Sequence, residues 1–223
     1  MSDRTFVLAV DVRQARDYTA MVVLDTLENR DANRITARPN AHRRYDVVDI
    51  ERFREVPYPQ QVERIRDRFR EVERIARHHN ANARLVVDAT GVGKPILDAL
   101  KDQQLRPTGV IITGGDTASE SDGVKRVPKR ELVTTLQIVM QAGRLKIARD
   151  LPHASTLVKE LQGFRVKITL SGNAKFGNDV GEWREADHDD LVLATSLGVW
   201  ILDQRRVTSA AYLKQASGLA WYR

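Results

Sequence analysis

The sequence predicts an α/β fold: a mixed sheet, three antiparallel strands and then parallel strands, flanked by helices. Three observations carry this. Three β-rich runs follow one another up to Phe53 with no helical pattern between them. A strand-helix-strand succession then spans residues 84–114, and such a unit argues for parallel strands in a layered α/β domain. Finally, Asp11, Asp88 and Asp190 each stand where a predicted strand or helix begins or ends.

The first strand covers residues 5–12 and contains Asp11; RQARDY is a polar turn, and TAMVVLD (19–25) pairs back as a hairpin. Residues 29–45 are polar and read as a loop or loose strand, before YDVVDIERF (45–53). From Tyr58 to His79, Val62, Ile65, Phe69, Val72 and Ile75 recur at spacings of three and four, the mark of an amphipathic helix. Its other face mixes Arg64, Arg66 and Arg70 with Glu63, Asp67 and Glu71, which reads as a solvated surface. Strand RLVVD (84–88), a glycine turn, helix 94–103 and strand 108–114 follow. Residues 115–128 read as a polar loop without core pattern. A helix over 129–142 has Leu132, Leu136, Val139 and Met140 on one face, and RLKIA (144–148) is a short strand. Pro152 opens a helix through 162; FRVKITL (164–170) alternates as a strand, with SGNAKFGND as its hairpin tip. The last long helix covers 188–203. The expected division is one domain over 1–204 and a tail or linker over 205–223.

A chain of 223 residues suits one such domain and can bury a full core without staples. It has no cysteine, which excludes disulfides and thiolate metal sites. The apolar run near the start is only Phe6 to Val10, no signal peptide, and Leu191 to Leu202 is too short to span a bilayer. A soluble, cytoplasmic protein is therefore expected. The net charge of +6 fits a polyanionic partner such as nucleic acid. Charge alone does not select that class, because basic and acidic residues interleave along the helices.

The chemistry rests on the three acids. Asp11 lies in an apolar strand, where an unpaired buried carboxylate costs several kcal/mol; the plain alternative is a turn cap at the strand end. Asp88 closes a strand at its carboxyl end, where ligands of α/β sheets gather. The Gly91-Val92-Gly93-Lys94 turn after it is not a phosphate loop: Asp88 stands at the position of the first glycine, and Pro95 replaces the Ser or Thr. Lys94 remains able to meet a phosphate. Asp187-His188-Asp189-Asp190 opens the last helix, where a cap at Asp187 and acids in the first turn suit the dipole. Yet Leu191 to Ala194 follow at once, so this helix start packs into the core. Three distant acids at element ends are better explained jointly, as oxygen ligands for Mg²⁺ or Mn²⁺.

The stretches AVDVRQARDYTAMVVLD, LVVDATGVGKPILDAL, VPKRELVTTLQIVMQAGRLKIA, ELQGFRVKITLSGNAKFG and HDDLVLATSLGVW together resemble, in order, the nuclease domain of phage terminase large subunits. They cover most of residues 5–202. The resemblance implies an RNase H-like fold and metal-dependent cleavage of double-stranded DNA during genome packaging. It places the metal acids on Asp11, Asp88 and Asp190, with Asp189 as a fourth. It implies two Mg²⁺ or Mn²⁺ ions sharing Asp11, one activating water and one stabilising the leaving oxygen. Where many relatives carry a further acid, this chain has Leu193. No phosphate loop for the usual ATPase motor is found, so an isolated domain or a stand-alone relative is expected.

DNA would be held by phosphate contacts, which position without reading sequence. The candidates are Lys125, Arg126, Lys129 and Arg130 around the polar loop, and Arg165, Lys167 and Lys175 on the expected hairpin. His188 is an auxiliary candidate for ordering a water or the scissile phosphate, and capping explains it equally well. Arg13 shares the strand face of Asp11 and is a candidate to neutralise the acids. The partners implied are double-stranded DNA, a packaging ATPase, the small terminase subunit and the portal, in the host cytoplasm and with no membrane. Two alternatives stay open: a Holliday-junction-resolvase-like nuclease, and a non-catalytic DNA-binding or docking module of a packaging complex.

Overall fold

A computed structural model describes residues 4–13, 17–28, 43–115, 117–121, 123–170 and 189–203 of the protein, with 164–170 described by backbone alone. The chain opens with β1 (Thr5–Asp11), β2 (Thr19–Glu28) and β3 (Arg43–Phe53), successive antiparallel neighbours. Helix α1 (Tyr58–His78) leads to β4 (Asn82–Asp88), and α2 (Gly93–Asp102) to β5 (Thr108–Thr113). There follow β6 (Ser119–Ser121), β7 (Val124–Pro128), α3 (Lys129–Gln141), β8 (Leu145–Ile147), α4 (Ala154–Leu170) and α5 (190–203). The eight strands form one sheet in the order β6-β7-β5-β4-β1-β2-β3-β8. β1 lies at its heart, antiparallel to β2 and parallel to β4, and β4 is parallel to β5. This is the mixed sheet, three antiparallel strands and then parallel strands, that the sequence predicts.

Alternation along the strands sends side chains to two cores. Phe6, Leu8 and Val10 of β1 pack with Val62, Ile65, Phe69 and Val72 of α1 and with Ile96, Leu97 and Leu100 of α2. Val7 and Ala9 face the opposite way, toward Leu132 and Leu136 of α3, Leu157 and Leu161 of α4, and Leu191 to Leu202 of α5. Helix α5 is buried almost throughout, which is why its sequence is apolar all round rather than striped. Its C-terminal carbonyls accept from Arg43 Nη1 (Leu202 O, 2.5 Å) and Arg84 Nη1 (Ile201 O, 3.2 Å). Cations there complement the helix dipole and tie the helix end to β3 and β4. Among the described residues no helix is long and apolar enough to cross a membrane.

Gly198 sets how closely α5 lies on the sheet. A Cβ there would stand 2.5 Å from Leu24 Cδ1 and 3.2 Å from Ala9 Cβ. The leucine methyl can turn aside, but Ala9 belongs to the central strand. Gly198→Ala gains helix propensity of about 1 kcal/mol and overpacks at a cost of about 1–3 kcal/mol. The expected result is a lowered melting temperature; an unchanged or raised one would show that α5 lifts off freely.

Two sequence expectations are corrected. Residues 115–128 are not all loop: β6 and β7 form an antiparallel hairpin, and β7 extends the sheet beside β5 in parallel. Only Val124 and Val127 give β7 an apolar signal, three residues apart, so it shows no alternation. The strand over 164–170 is instead the second half of α4. Leu157 and Leu161 anchor that helix one turn apart in the core, and Gly163, with nothing within 4 Å of its place for a side chain, is tolerated inside it. Short alternation did not outweigh helix propagation from that anchor. Of the loop or loose strand expected over 29–45, residues 43–45 belong to β3 and 29–42 lie outside the described residues, as do the hairpin tip of 171–179 and the tail of 205–223.

Candidate metal centre

Asp11 is the last residue of β1 and continues the face of Val7 and Ala9. Asp88 is the last residue of β4 and continues the face of Val86. The two strands are parallel neighbours paired at Val10 and Val87, so these acids stand side by side one step further on. Asp190 is the first residue of α5, whose N-terminus meets the same end of the sheet, and Asp189 precedes it. All four are buried: Asp11 is 0% exposed, Asp88 4%, Asp189 8% and Asp190 5%. The turn after Asp88 is tight. A Cβ at Gly93 would lie 1.8 Å from the Asp88 carbonyl oxygen, so only glycine lets α2 begin there. Thr90 N donates to Asp88 Oδ1 at 2.8 Å, and Thr90 Oγ1 accepts from Ile112 N at 2.9 Å, which fixes the end of β4 to β5.

Burial pushes the Asp11 carboxyl well above the usual range, against the pull of Arg13, and the charges of Asp88 and Asp190 add to the rise. Burial also raises Asp88, against hydrogen bonds from Thr90. It raises Asp189 against Arg13, with Asp190 adding to the rise and Lys129 opposing it. Arg13 Nε lies 3.1 Å from Asp11 Oδ2 and 3.9 Å from Asp190 Oδ1. Burial opposes its charge, but Asp11, Asp190 and Asp88 together outweigh burial and hold Arg13 protonated. This is the neutralising role that the sequence offers for Arg13.

Three participants escaped the sequence reading. Arg52 Nη2 lies 3.0 Å from Asp190 Oδ2 and 3.8 Å from Glu160 Oε1. Its guanidinium stacks 3.8 Å from the centroid of the Tyr18 ring, which Arg54 also approaches at 5.2 Å. Glu160 of α4 is pushed up to about 7 by burial, against Arg52 and the backbone N–H of Val192, with Asp190 adding to the rise. Local pattern gives the side each faces but not the partner it meets. Arg52 follows Ile50 on the inward register of β3, and Glu160 shares the inward side of α4 with Leu157.

Of the DNA candidates, Lys129 opens α3 close enough to Asp189 to act on its charge. Arg130 follows it, exposed. Lys125 and Arg126 sit on β7, not on a loop, where Lys125 pairs with Glu120 and Arg126 Nη1 donates to Ser121 Oγ at 3.2 Å. Arg165 and Lys167 lie on α4, not on a hairpin, and their side chains are outside the description. Lys175, Asp187 and His188 lie outside the described residues. Leu193 is buried at 4% exposure.

As they stand, no three acidic or imidazole side chains among the described residues are grouped as the ligands of an ion. Arg13 and Arg52 hold the carboxylates instead. The donor set nevertheless fits a hard cation. Asp11 Oδ1, Asp189 Oδ2 and Glu160 Oε1 are buried oxygens without a hydrogen-bond partner among the described residues. Bare buried carboxylate oxygens are costly unless something positive meets them. Among the described residues, Asp11, Asp88, Glu160, Asp189 and Asp190 are neighboured by Arg13, Arg52 and Lys129.

No protein-family profile and no curated protein matches the chain. Among solved structures, it is similar to the large terminase nuclease of the thermophilic phage G20c, at 19% identity, 88% of this chain, 81% of that chain and a TM-score of 0.48. It is similar to the P22 large terminase nuclease domain at 14% identity, with 90% and 82% covered and a TM-score of 0.49. The Mn-soaked terminase nuclease domain of human cytomegalovirus matches at 12% identity, with 87% and 82% covered and a TM-score of 0.48.

Proposed function

We propose that the chain is a divalent-metal-dependent endonuclease acting on double-stranded DNA, of the kind that serves phage genome packaging. The observation that carries this is the gathering of four buried acids from β1, β4 and α5 at one end of the sheet, two of them with bare oxygens. Asp11, Asp88 and Asp190 would hold Mg²⁺ or Mn²⁺, with Asp189 as the fourth ligand. Two such ions, when bound, supply Lewis acidity toward a phosphodiester and its attacking water.

The chain's own residues do the rest. Oxygen ligands on strand ends and a buried helix start are rigidly placed, as in-line attack requires. Arg13 offsets the mutual repulsion of Asp11 and Asp190. Lys129, beside Asp189, and exposed Arg126 and Arg130 give the approaching backbone cationic contacts. Phosphate contacts of this kind position the duplex without reading its sequence. A packaging ATPase, a small terminase subunit and a portal are the partners that this reading implies.

A supercoiled plasmid tests it. The protein with Mn²⁺ is expected to convert the plasmid to nicked and linear forms, and EDTA to stop conversion. Failure to cut in either Mn²⁺ or Mg²⁺ would leave only a DNA-binding module.

A further inference from the structure

The N-terminus of α5 is capped from another helix. An N-cap carboxylate ordinarily accepts the N–H groups of the second or third helical residue. Asp189 is the N-cap here, since its carbonyl takes the first helical bond, from Leu193 N at 3.0 Å. The two N–H groups its side chain would take belong to Leu191 and Val192. Both donate instead to Glu160 Oε2, at 3.1 and 3.2 Å. The Glu160 side chain is 7% exposed and also lies 3.8 Å from Arg52, which holds Asp190 at 3.0 Å. Asp189, relieved of capping, keeps a buried Oδ2 with no hydrogen-bond partner among the described residues. The plain explanation of the Asp189-Asp190 pair, that acids cap and complement the helix start, is thus met by a residue 29 positions before Asp189 in the sequence.

We infer that Glu160 is a positioning residue of the metal centre: by capping α5 in place of Asp189, it frees that carboxylate to face a cation and fixes where Asp189 and Asp190 sit. The inference rests on the metal-centre reading above. Glu160 itself need not touch the ion. Partners that orient ligands change metal affinity by about 10–100-fold when removed.

Mn²⁺ binding to the full chain, followed by electron paramagnetic resonance at pH 8, tests it without any turnover. Glu160→Ala is expected to weaken binding about tenfold or more, because Asp189 turns back to cap its own helix. Glu160→Gln keeps an amide oxygen for the two N–H groups and is expected to bind within about threefold of the parent, as a cap substitution that retains its acceptor should. Glu160→Asp keeps the charge but shortens the reach, and is expected to lose affinity as the alanine variant does, which preserves the test if Glu160→Ala does not fold. Parent-like binding by both Glu160→Ala and Glu160→Asp, even with a lowered melting temperature, overturns the inference alone. Equal losses in Glu160→Gln and Glu160→Ala also overturn it, by making Glu160 a ligand. A parent chain that binds no Mn²⁺ overturns the metal-centre reading with it.

Discussion

Asp11→Asn is expected to abolish Mn²⁺-dependent nicking while leaving the protein folded and, without metal, at least as stable as the parent at pH 8. The two halves of this expectation have one cause. Asp11 is fully buried at 0% exposure, and its ionised form is opposed by burial and by Asp88 and Asp190. An amide of the same shape removes that repulsion, although it weakens the Arg13 pair at 3.1 Å. If Asp11 is a ligand as proposed, metal reverses the balance, because an amide is a weaker, uncharged ligand than a carboxylate. A loss of about 4 kcal/mol of transition-state stabilisation, in the range assigned to Lewis-acid catalysis, is about a thousandfold in rate. Plasmid nicking and thermal melting in EDTA measure the two effects. A folded Asp11→Asn protein that cuts at more than about a tenth of the parental rate, a barrier change of only about 1.4 kcal/mol, would remove Asp11 from the site.

How much of this was legible in the sequence depended on the range of the signal. Strands β1 to β5 and helices α1 to α3 announce themselves because each carries its own periodicity and its own breaker, as with Pro57 before α1 or the glycine turn before α2. Asp11, Asp88, Asp189 and Asp190 were legible because acids inside or directly beside apolar runs demand an explanation. Glu160, Arg52 and Tyr18 were not. Each looks ordinary in its own stretch, and their meaning comes from contacts between α4, β3, the residues before β2 and α5, which local periodicity does not encode. The same limit explains β7, whose pairing with β5 rather than its own composition makes it a strand. It also explains α4, where Leu157 and Leu161 settle a helix that the alternation of FRVKITL contradicts.

Without metal, the protein is expected to be more stable at pH 5 than at pH 8, and Mn²⁺ is expected to remove most of that difference. Glu160 is raised in the folded state from an ordinary 4.5 to about 7, chiefly by burial. A carboxyl raised on folding contributes stability that is fully present below its unfolded value and is lost as pH climbs through its folded value. The loss therefore falls between about pH 4.5 and 7, and at 1.36 kcal/mol per pH unit it amounts to an order of 3 kcal/mol. Asp11, Asp88 and Asp189 are shifted in the same direction and add to the slope. A divalent ion binds the ionised carboxyls and not the protonated ones, so Mn²⁺ should raise the melting temperature strongly at pH 8 and little at pH 5. Glu160→Gln should flatten the EDTA curve between these limits, because it removes one of the raised carboxyls while keeping the cap on Leu191 and Val192. Denaturant melts across pH in EDTA decide it: stability that is level or rising from pH 5 to 8 would mean that these acids are already compensated in the folded chain, and that no cation is needed to hold them together.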